Sequence, residues 1–251
     1  MIERDQLLEN LDEVRAGIAS AAERSARDPS GVRLIAVTKT VPIEAIRWAV
    51  EGGVADLGEN YAQELREKRG AVPPATWHYV GTLSSGGAGL VADLADVVHS
   101  VGGERAARRL AGRAARADRR LDALIEVDFT GERSGVAPDD VATFADLATR
   151  LDGLRLVGVM TIPPFAEDPE ASRPFFARLR ALRDQVRNDH PEVLETSMGM
   201  SLDYQVAIEE GATMVRIGTA LFGPRRRPGA QRPGMQPGIH PGTQPGTKER
   251  T

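Results

Sequence analysis

The chain contains no cysteine, which excludes disulfide bonds and thiolate-based metal sites. It also has no apolar run long enough to cross a membrane, and residues 1–5 are charged and carry no apolar signal core. The formal net charge is only −4, which gives no indication of nucleic acid as a partner. We therefore expect a cytoplasmic protein without a membrane or nucleic-acid partner, and we take a monomer as the starting hypothesis.

Lysine is also scarce: of 32 lysine and arginine residues only Lys39, Lys68 and Lys248 are lysine, and the other 29 are arginine. Lys39 follows the apolar segment 34–37, which predicts a buried parallel strand. Because arginine supplies positive charge elsewhere, a lysine kept here suggests a primary amine that loses its proton and condenses with an aldehyde. On position alone, a surface lysine whose stem packs against the strand end is an equal alternative.

Eight short apolar segments alternate with helical patterns along residues 1–224. Strands are predicted at residues 34–37, 54–58, 77–80, 97–100, 121–127, 156–161, 195–197 and 214–217, and helices at residues 3–27, 43–51, 59–69, 88–95, 104–118, 138–151, 170–188 and 202–210. This alternation implies parallel strands with right-handed crossovers, and eight units in 251 residues fit a (β/α)8 TIM barrel with an extra N-terminal helix. An open doubly wound sheet is the competitor, but no G-x-G-x-x-G motif follows the first strand.

The composition changes at residue 225. Five Pro-Gly pairs recur there among glutamine, threonine and arginine. Such a segment has too little apolar surface to offset the entropy of the chain. We therefore predict two regions, a ligand-binding barrel at residues 1–224 and a disordered tail at residues 225–251.

The predicted carboxyl ends of the strands carry most of the polar candidates, and this end of a barrel is where active sites form. Lys39 follows the first strand, Asn60 the second and Ser201 the seventh. Ser201 directly precedes a predicted helix, so it is expected to be the N-cap, and a hydroxyl at a helix N-terminus can also bind an anion. Gly218 and Thr219 follow the eighth strand and add backbone amides and a hydroxyl. Together these loops predict a phosphate-binding cradle.

Arg216 ends the eighth strand, which barrel closure places beside the first strand and Lys39. A buried arginine requires an acceptor, either a structural carboxylate or an atom of a ligand. Lys39, the cradle and Arg216 together suggest pyridoxal 5′-phosphate, with Arg216 facing the ring nitrogen. That nitrogen would stay neutral, since arginine gives up a proton poorly, and the ring would be a weak electron sink. His78 and His99 lie inside predicted strands and are expected to be packed and satisfied, and no spacing indicates a metal site.

Several motifs, in order along the chain, resemble one family, the pyridoxal phosphate homeostasis proteins (the YggS/PROSC family). The matching segments are 34–39 (LIAVTK), 58–64 (GENYAQE), 77–81 (WHYVG), 98–101 (VHSV), 158–161 (GVMT), 197–201 (SMGMS) and 215–223 (VRIGTALFG). The resemblance implies a fold type III barrel like the barrel domain of alanine racemase. It also implies that such a protein binds and buffers the cofactor, influences vitamin B6 and amino-acid balance, and passes the cofactor to apo-enzymes.

The resemblance also assigns roles to the candidate residues. Lys39 is similar to the family's aldimine lysine, and Arg216 to its ring-nitrogen partner. The remaining cofactor contacts implied by the resemblance are Asn60, Ser201, Gly218 and Thr219. The family usually has Leu-Gln-x-Asn-Lys after the glycine at position 81, whereas residues 83–87 here are LSSGG. This departure removes an amide and a charge near the predicted mouth of the barrel.

Two other functions use similar groups. A single-domain amino-acid racemase would need proton-transfer groups on both faces of the cofactor ring. The chain ends too soon after its eighth predicted strand to hold the second domain that supplies one of them in two-domain racemases. A Schiff-base aldolase acting on a phosphorylated sugar would also use a barrel lysine and a phosphate cradle, but it would bind no chromophore.

Overall fold

Eight parallel strands close into a barrel in chain order in this computed structural model, which describes residues 2–224. The strands are β1 (Arg33–Val37), β2 (Asp56–Glu59), β3 (Thr76–Tyr79), β4 (Val97–Val101), β5 (Leu121–Glu126), β6 (Leu154–Met160), β7 (Glu195–Met200) and β8 (Met214–Ile217). The predicted TIM barrel is therefore confirmed, and the open sheet is excluded because β8 pairs with β1. The tail predicted at residues 225–251 lies outside the described residues.

Helices surround the barrel and connect its strands. They are α1 (Arg4–Arg24), α2 (Ile43–Glu51), α3 (Ala62–Arg69), α4 (Ala88–Leu94), α5 (Glu104–Arg116), α6 (Val141–Thr149), α7 (Arg173–Asp189), α8 (Tyr204–Glu209) and α9 (Thr219–Phe222). Single 3-10 turns, each with proline in its first turn, precede α6 and α7 and account for the earlier starts predicted for those two helices. In the stretch 2–224, no helix is both long and apolar enough to span a bilayer.

Helix α1 covers the seam where the last strand meets the first. Its apolar side chains repeat every three or four residues, and Leu7, Leu11 and Val14 are buried. It packs against α2, α8 and α9, and the Asn10 side-chain amide donates to the Leu221 carbonyl at 2.9 Å. Burying one leucine stabilises a fold by about 1.5–3 kcal/mol, so this face anchors α1 to the helices of the first and last units of the barrel.

The interior of the barrel is packed with side chains rather than hollow. Ile35, Val97, Leu124, Met160 and Met214 form a buried apolar cluster from five different strands. A second and more extensive set of apolar side chains, many of them alanine, leucine or valine, fills the layer between the strands and the helices. Packed side chains therefore close the barrel interior beneath the site described below, as in other barrels of this kind.

One helix boundary and one additional helix differ from the sequence predictions in ways that matter for the site. The helix predicted from Glu59 begins only at Ala62, because Glu59 ends β2 and is fully buried. The helix α9 was not predicted, since its four residues carry too short a pattern to distinguish from a loop.

Candidate functional site

One cavity of about 890 Å³ opens at the carboxyl ends of the strands. Its lining includes all six residues singled out from the sequence, which are Lys39, Asn60, Ser201, Arg216, Gly218 and Thr219. They come from the ends of β1, β2, β7 and β8, which barrel closure brings together. The structure thus gathers the predicted residues in one place, while their roles stay predictions.

Lys39 is half-buried and lines this cavity two residues after the end of β1. The residue after it, Thr40, has a φ of +62°, a left-handed conformation that is strained for a residue branched at Cβ. Its amide donates to the Glu64 carboxylate at 2.9 Å. On the other side of Lys39, the Thr38 hydroxyl donates to the Glu59 carboxylate at 3.0 Å. The loop that carries Lys39 is therefore held by hydrogen bonds on both sides.

A buried lysine that sequence reasoning missed connects these two carboxylates. Lys68 Nζ donates to Glu59 Oε1 at 2.6 Å, to Glu64 Oε2 at 2.5 Å and to the Thr38 carbonyl at 2.7 Å. The Lys68 side chain is 7% exposed and that of Glu59 is fully buried. Glu59 also accepts the Asn60 amide at 2.8 Å. We call Lys68, Glu59 and Glu64 the lysine clamp, because they fix the loops that present Lys39 and Asn60.

The charges of the lysine clamp are well compensated. Burial alone would raise the pKa of the Glu64 carboxyl, but hydrogen bonds from Lys68 and the Thr40 amide outweigh it and leave that pKa below its ordinary value. The two Lys68–carboxylate distances, 2.6 and 2.5 Å, are as short as those of charge-assisted hydrogen bonds. The sequence signal that could have found the clamp is the scarcity of lysine itself, which applied to Lys68 as well as to Lys39.

Ser201 does not cap α8, contrary to the sequence prediction. Asp203 occupies the N-cap position, and its carboxylate accepts the Met200 amide at 2.7 Å. The Ser201 hydroxyl instead accepts the backbone amides of Gly218 at 3.2 Å and Ala220 at 3.1 Å. Two residues separate Ser201 from the start of α8, and its side chain contacts the segment that follows β8. The hydroxyl hydrogen of Ser201 is left to donate elsewhere, which suits an anion in the cavity.

Two glycines allow the backbone around the cavity to adopt this path. Gly199 has a φ of +88°, and a Cβ there would lie 2.5 Å from the Ala207 Cβ. A Cβ on Gly81 would lie 1.9 Å from the Asn60 carbonyl oxygen, so the β3–α4 loop touches the loop after β2. The LSSGG segment follows this contact and forms the turn into α4, where Ser84 Oγ accepts the Gly87 amide at 3.1 Å.

Arg216 is 4% exposed and projects into the barrel near its carboxyl end. Its guanidinium donates to the Ser197 hydroxyl at 2.6 Å and to the Thr161 carbonyl at 2.9 Å. These two acceptors are neutral, so the structural carboxylate considered from the sequence is replaced by a hydroxyl and a carbonyl. Burial lowers the pKa of Arg216 to about 10, although the negative charges of Asp203 and Glu126 act to raise it. The guanidinium is therefore still protonated at neutral pH and can only donate hydrogen bonds to a ligand.

His78 and His99 are fully buried and hydrogen-bonded, which confirms the expectation that they are packed and satisfied. Burial, and then the neighbouring His78 and the positive charges of Arg216 and Arg33, lower the pKa of His99 well below 6.5. His99 is therefore neutral at physiological pH.

The chain is similar to known proteins along most of its length. Residues 6–226 match the family model of the alanine racemase N-terminal domain. A pyridoxal phosphate homeostasis protein of Aquifex aeolicus is 38% identical over 223 residues, which is 87% of this chain and 98% of the relative. Another of the same name, from Vibrio cholerae, is 40% identical over 225 residues, 86% of this chain and 95% of the relative.

A solved structure shows the same likeness in three dimensions. PipY of Synechococcus elongatus, with pyridoxal phosphate (PLP) bound, superposes with a TM-score of 0.77 at 32% identity, covering 87% of this chain and 100% of PipY. The match to the family model, at residues 6–226, includes every strand of the barrel and every residue that lines the cavity described above.

Proposed function

Since the chain belongs to the pyridoxal phosphate homeostasis proteins within the alanine racemase N-terminal domain family, we propose that it binds pyridoxal 5′-phosphate in the central cavity and buffers the supply of this cofactor. The single observation that carries the proposal is that one cavity of about 890 Å³ gathers a lysine amine, a set of hydroxyls and amides, and a buried arginine. A cytoplasmic location and a monomeric state remain predictions from the sequence.

The donor set of the cavity fits the parts of this cofactor. Lys39 would attach the aldehyde: its nitrogen replaces the aldehyde oxygen, which leaves as water. Ser201, Gly218 and Thr219 would hold the phosphate, supported by the convergence of two amides on the Ser201 hydroxyl. The guanidinium of Arg216 would donate to the ring nitrogen, which requires that nitrogen to be unprotonated because a guanidinium cannot accept a hydrogen bond.

The attachment at Lys39 is tested by reduction with borohydride. We expect the purified protein, incubated with the cofactor, to be yellow, and mass spectrometry of peptides to find the reduced cofactor on Lys39. The matched controls are Lys39→Arg, which keeps the charge but offers no condensing amine, and Lys39→Ala. Both should be colourless after dialysis. Full covalent loading of Lys39→Ala, or reduction products found only on Lys68, would show that attachment lies elsewhere.

The cradle is tested by comparing two ligands that differ only in the phosphate. Ser201→Ala combined with Thr219→Ala should weaken binding of pyridoxal 5′-phosphate by about tenfold or more, because two hydrogen bonds to a charged group are lost. Binding of pyridoxal, which has no phosphate, should stay as in the unaltered protein. Thr149→Ala, on α6 and away from the cavity, is the matched control. Equal losses for both ligands would move the phosphate to another part of the cavity.

We further propose that the protein passes the bound cofactor to other proteins. This transfer is supported by the exposure of the cavity mouth, where Thr219 and Phe165 face solvent. Loaded protein should restore the activity of an apo-enzyme that needs the cofactor, at a rate that exceeds spontaneous release measured with a phosphatase trap.

The racemase alternative is not favoured, and lack of alanine turnover in the same preparation is the expected result. The aldolase alternative predicts no chromophore at all.

A further inference from the structure

A continuous chain of hydrogen bonds crosses the interior of the barrel and ends at Arg216. Asp56 Oδ1 lies 2.8 Å from His78 Nε2, and His78 Nδ1 lies 2.8 Å from His99 Nε2. His99 Nδ1 lies 2.8 Å from Ser197 Oγ, which accepts from Arg216 Nη1 at 2.6 Å. The five side chains come from β2, β3, β4, β7 and β8. We call them the interior chain.

The two ends of the interior chain are close in the sheet but do not meet. Ile35 of β1 is in register with Asp56 on one side and with Arg216 on the other. Its buried apolar side chain belongs to the cluster inside the barrel. The polar connection between the two charged residues therefore runs through the histidines and Ser197.

The chemistry of the two ends sets the direction of every hydrogen bond between them. A guanidinium can only donate and an ionised carboxylate can only accept. Ser197 Oγ accepts from Arg216 and gives its own hydrogen to His99 Nδ1, so His99 carries its proton on Nε2. That proton points to His78 Nδ1, and His78 in turn donates from Nε2 to Asp56. Each imidazole then carries a proton on Nε2 and accepts at Nδ1, and each of the four contacts has one donor and one acceptor.

The reverse direction is unfavourable. It would turn a lone pair of His78 Nε2 towards the Asp56 carboxylate, and it would make His99 Nδ1–H a second donor to Ser197 Oγ beside Arg216. His78, His99 and Ser197 are fully buried, so no water competes for these contacts and a mismatch is costly.

We propose that Asp56 is a positioning residue for Arg216, which it controls from the first position of β2 through His78, His99 and Ser197. By fixing the direction of the interior chain, Asp56 keeps the Ser197 oxygen available to Arg216 Nη1, while Thr161 holds Nη2. The guanidinium is thereby held at both Nη1 and Nη2 where Arg216 lines the cavity. The inference rests on the proposed cofactor site, because that site gives the orientation of Arg216 its use.

The first test is the state of the histidines, which does not require the cofactor. The chain has only four histidines, so ¹⁵N NMR of selectively labelled apo-protein can assign the tautomer of each. We expect His78 and His99 both to be Nε2–H tautomers, and Asp56→Asn to preserve them because its amide oxygen still accepts. In Asp56→Ala the order should be lost. A protonated Nδ1 on His99 in the unaltered protein would overturn the inference.

The second test is binding of pyridoxal 5′-phosphate. Asp56→Ala should weaken it about three- to tenfold, as for one weakened hydrogen bond, and shift the absorption maximum of the bound cofactor. Asp56→Asn should restore both values, which a purely structural role of the carboxylate charge would not predict. Asp122→Ala is the matched control, since Asp122 also lies in a strand but pairs with the exposed Arg155.

The outcomes separate the inference from the proposed function. Unchanged affinity and absorption in Asp56→Ala would overturn the positioning role while the cofactor site stands. Failure of the unaltered protein to bind the cofactor would remove the function, while the tautomers still report whether the interior chain exists. If Asp56→Ala does not fold, Ser197→Ala breaks the same chain next to Arg216, and it should show the same loss of affinity and the same spectral shift. A Ser197→Ala protein identical to the unaltered one in both readouts would likewise refute the proposal.

Discussion

Removing the ammonium of the lysine clamp should cost the protein a large part of its stability. Lys68→Met keeps the length of the side chain but leaves Glu59, which is fully buried, without its counter-charge at 2.6 Å. Breaking a buried ion pair on one side typically costs about 3–5 kcal/mol. Glu59 still accepts from the Thr38 hydroxyl and from the Asn60 amide, so the lower end, about 3 kcal/mol, is expected. For a domain of this size that corresponds to a fall in Tm of about 6–12 °C.

Urea denaturation at pH 7.5, followed by circular dichroism, measures this change in the free energy of unfolding. Arg108→Met is the matched control, because Arg108 pairs with Glu104 at 2.7 Å but both side chains are 56% exposed. Its loss should stay below about 0.5 kcal/mol. Adding Glu59→Gln to Lys68→Met should recover part of the stability, since a neutral amide needs no counter-charge. A cost below about 1 kcal/mol for Lys68→Met would refute the reasoning that the clamp is dry and charged.

Two further predictions concern pH and close packing. The pKa of His99 is lowered well below 6.5 in the folded protein, so the free energy of unfolding should be largest above about pH 6.5 and fall as the pH decreases, by up to about 1.4 kcal/mol per pH unit. Urea denaturation at pH 7.5 and 5.5 measures this fall. An equal fall in His99→Gln would contradict the assignment to His99. Gly81→Ala should destabilise the protein by about 3 kcal/mol or prevent folding, because the new Cβ would meet the Asn60 carbonyl oxygen at 1.9 Å. Gly70→Ala is the control: a Cβ there has nothing within 4 Å, so its stability in thermal denaturation should stay within about 1 kcal/mol of the unaltered protein.

The fold was largely predictable because eight short apolar segments alternate with helical patterns along the chain. Each short apolar segment followed by a helical pattern gave one unit, and errors of two or three residues at individual ends did not change the count. The predicted strand at 214–217 and helix at 43–51 match the structure residue for residue. The helix α9 escaped because four residues are too few for a helical period, although it carries the amide of Ala220 that meets Ser201.

The candidate site was predictable to the extent that it depends on strand ends. Lys39, Asn60 and Arg216 each lie at or just beyond a carboxyl end, and barrel closure alone brings such positions together. The lysine clamp and the interior chain depend on which carboxylates are buried and on contacts between residues far apart in the chain. Glu59 looked like the start of a helix, and only the structure shows that it turns inward. The sequence pattern carried no information about its burial.

The pairing of β8 with β1 has a consequence for how the protein must be made. Strand β1 pairs with β2 about twenty residues further along the chain, but its other partner, Met214–Ile217, leaves the ribosome some 180 residues after β1. Until then the outer edge of β1 stays unpaired, and the apolar face of α1 lacks α8 and α9 to pack on. Such late-closing architectures fold slowly and are prone to aggregate while incomplete. A nascent chain stopped before Met214 would therefore present two unpaired strand edges, on β1 and β7, and its survival would depend on being finished quickly or shielded by a chaperone.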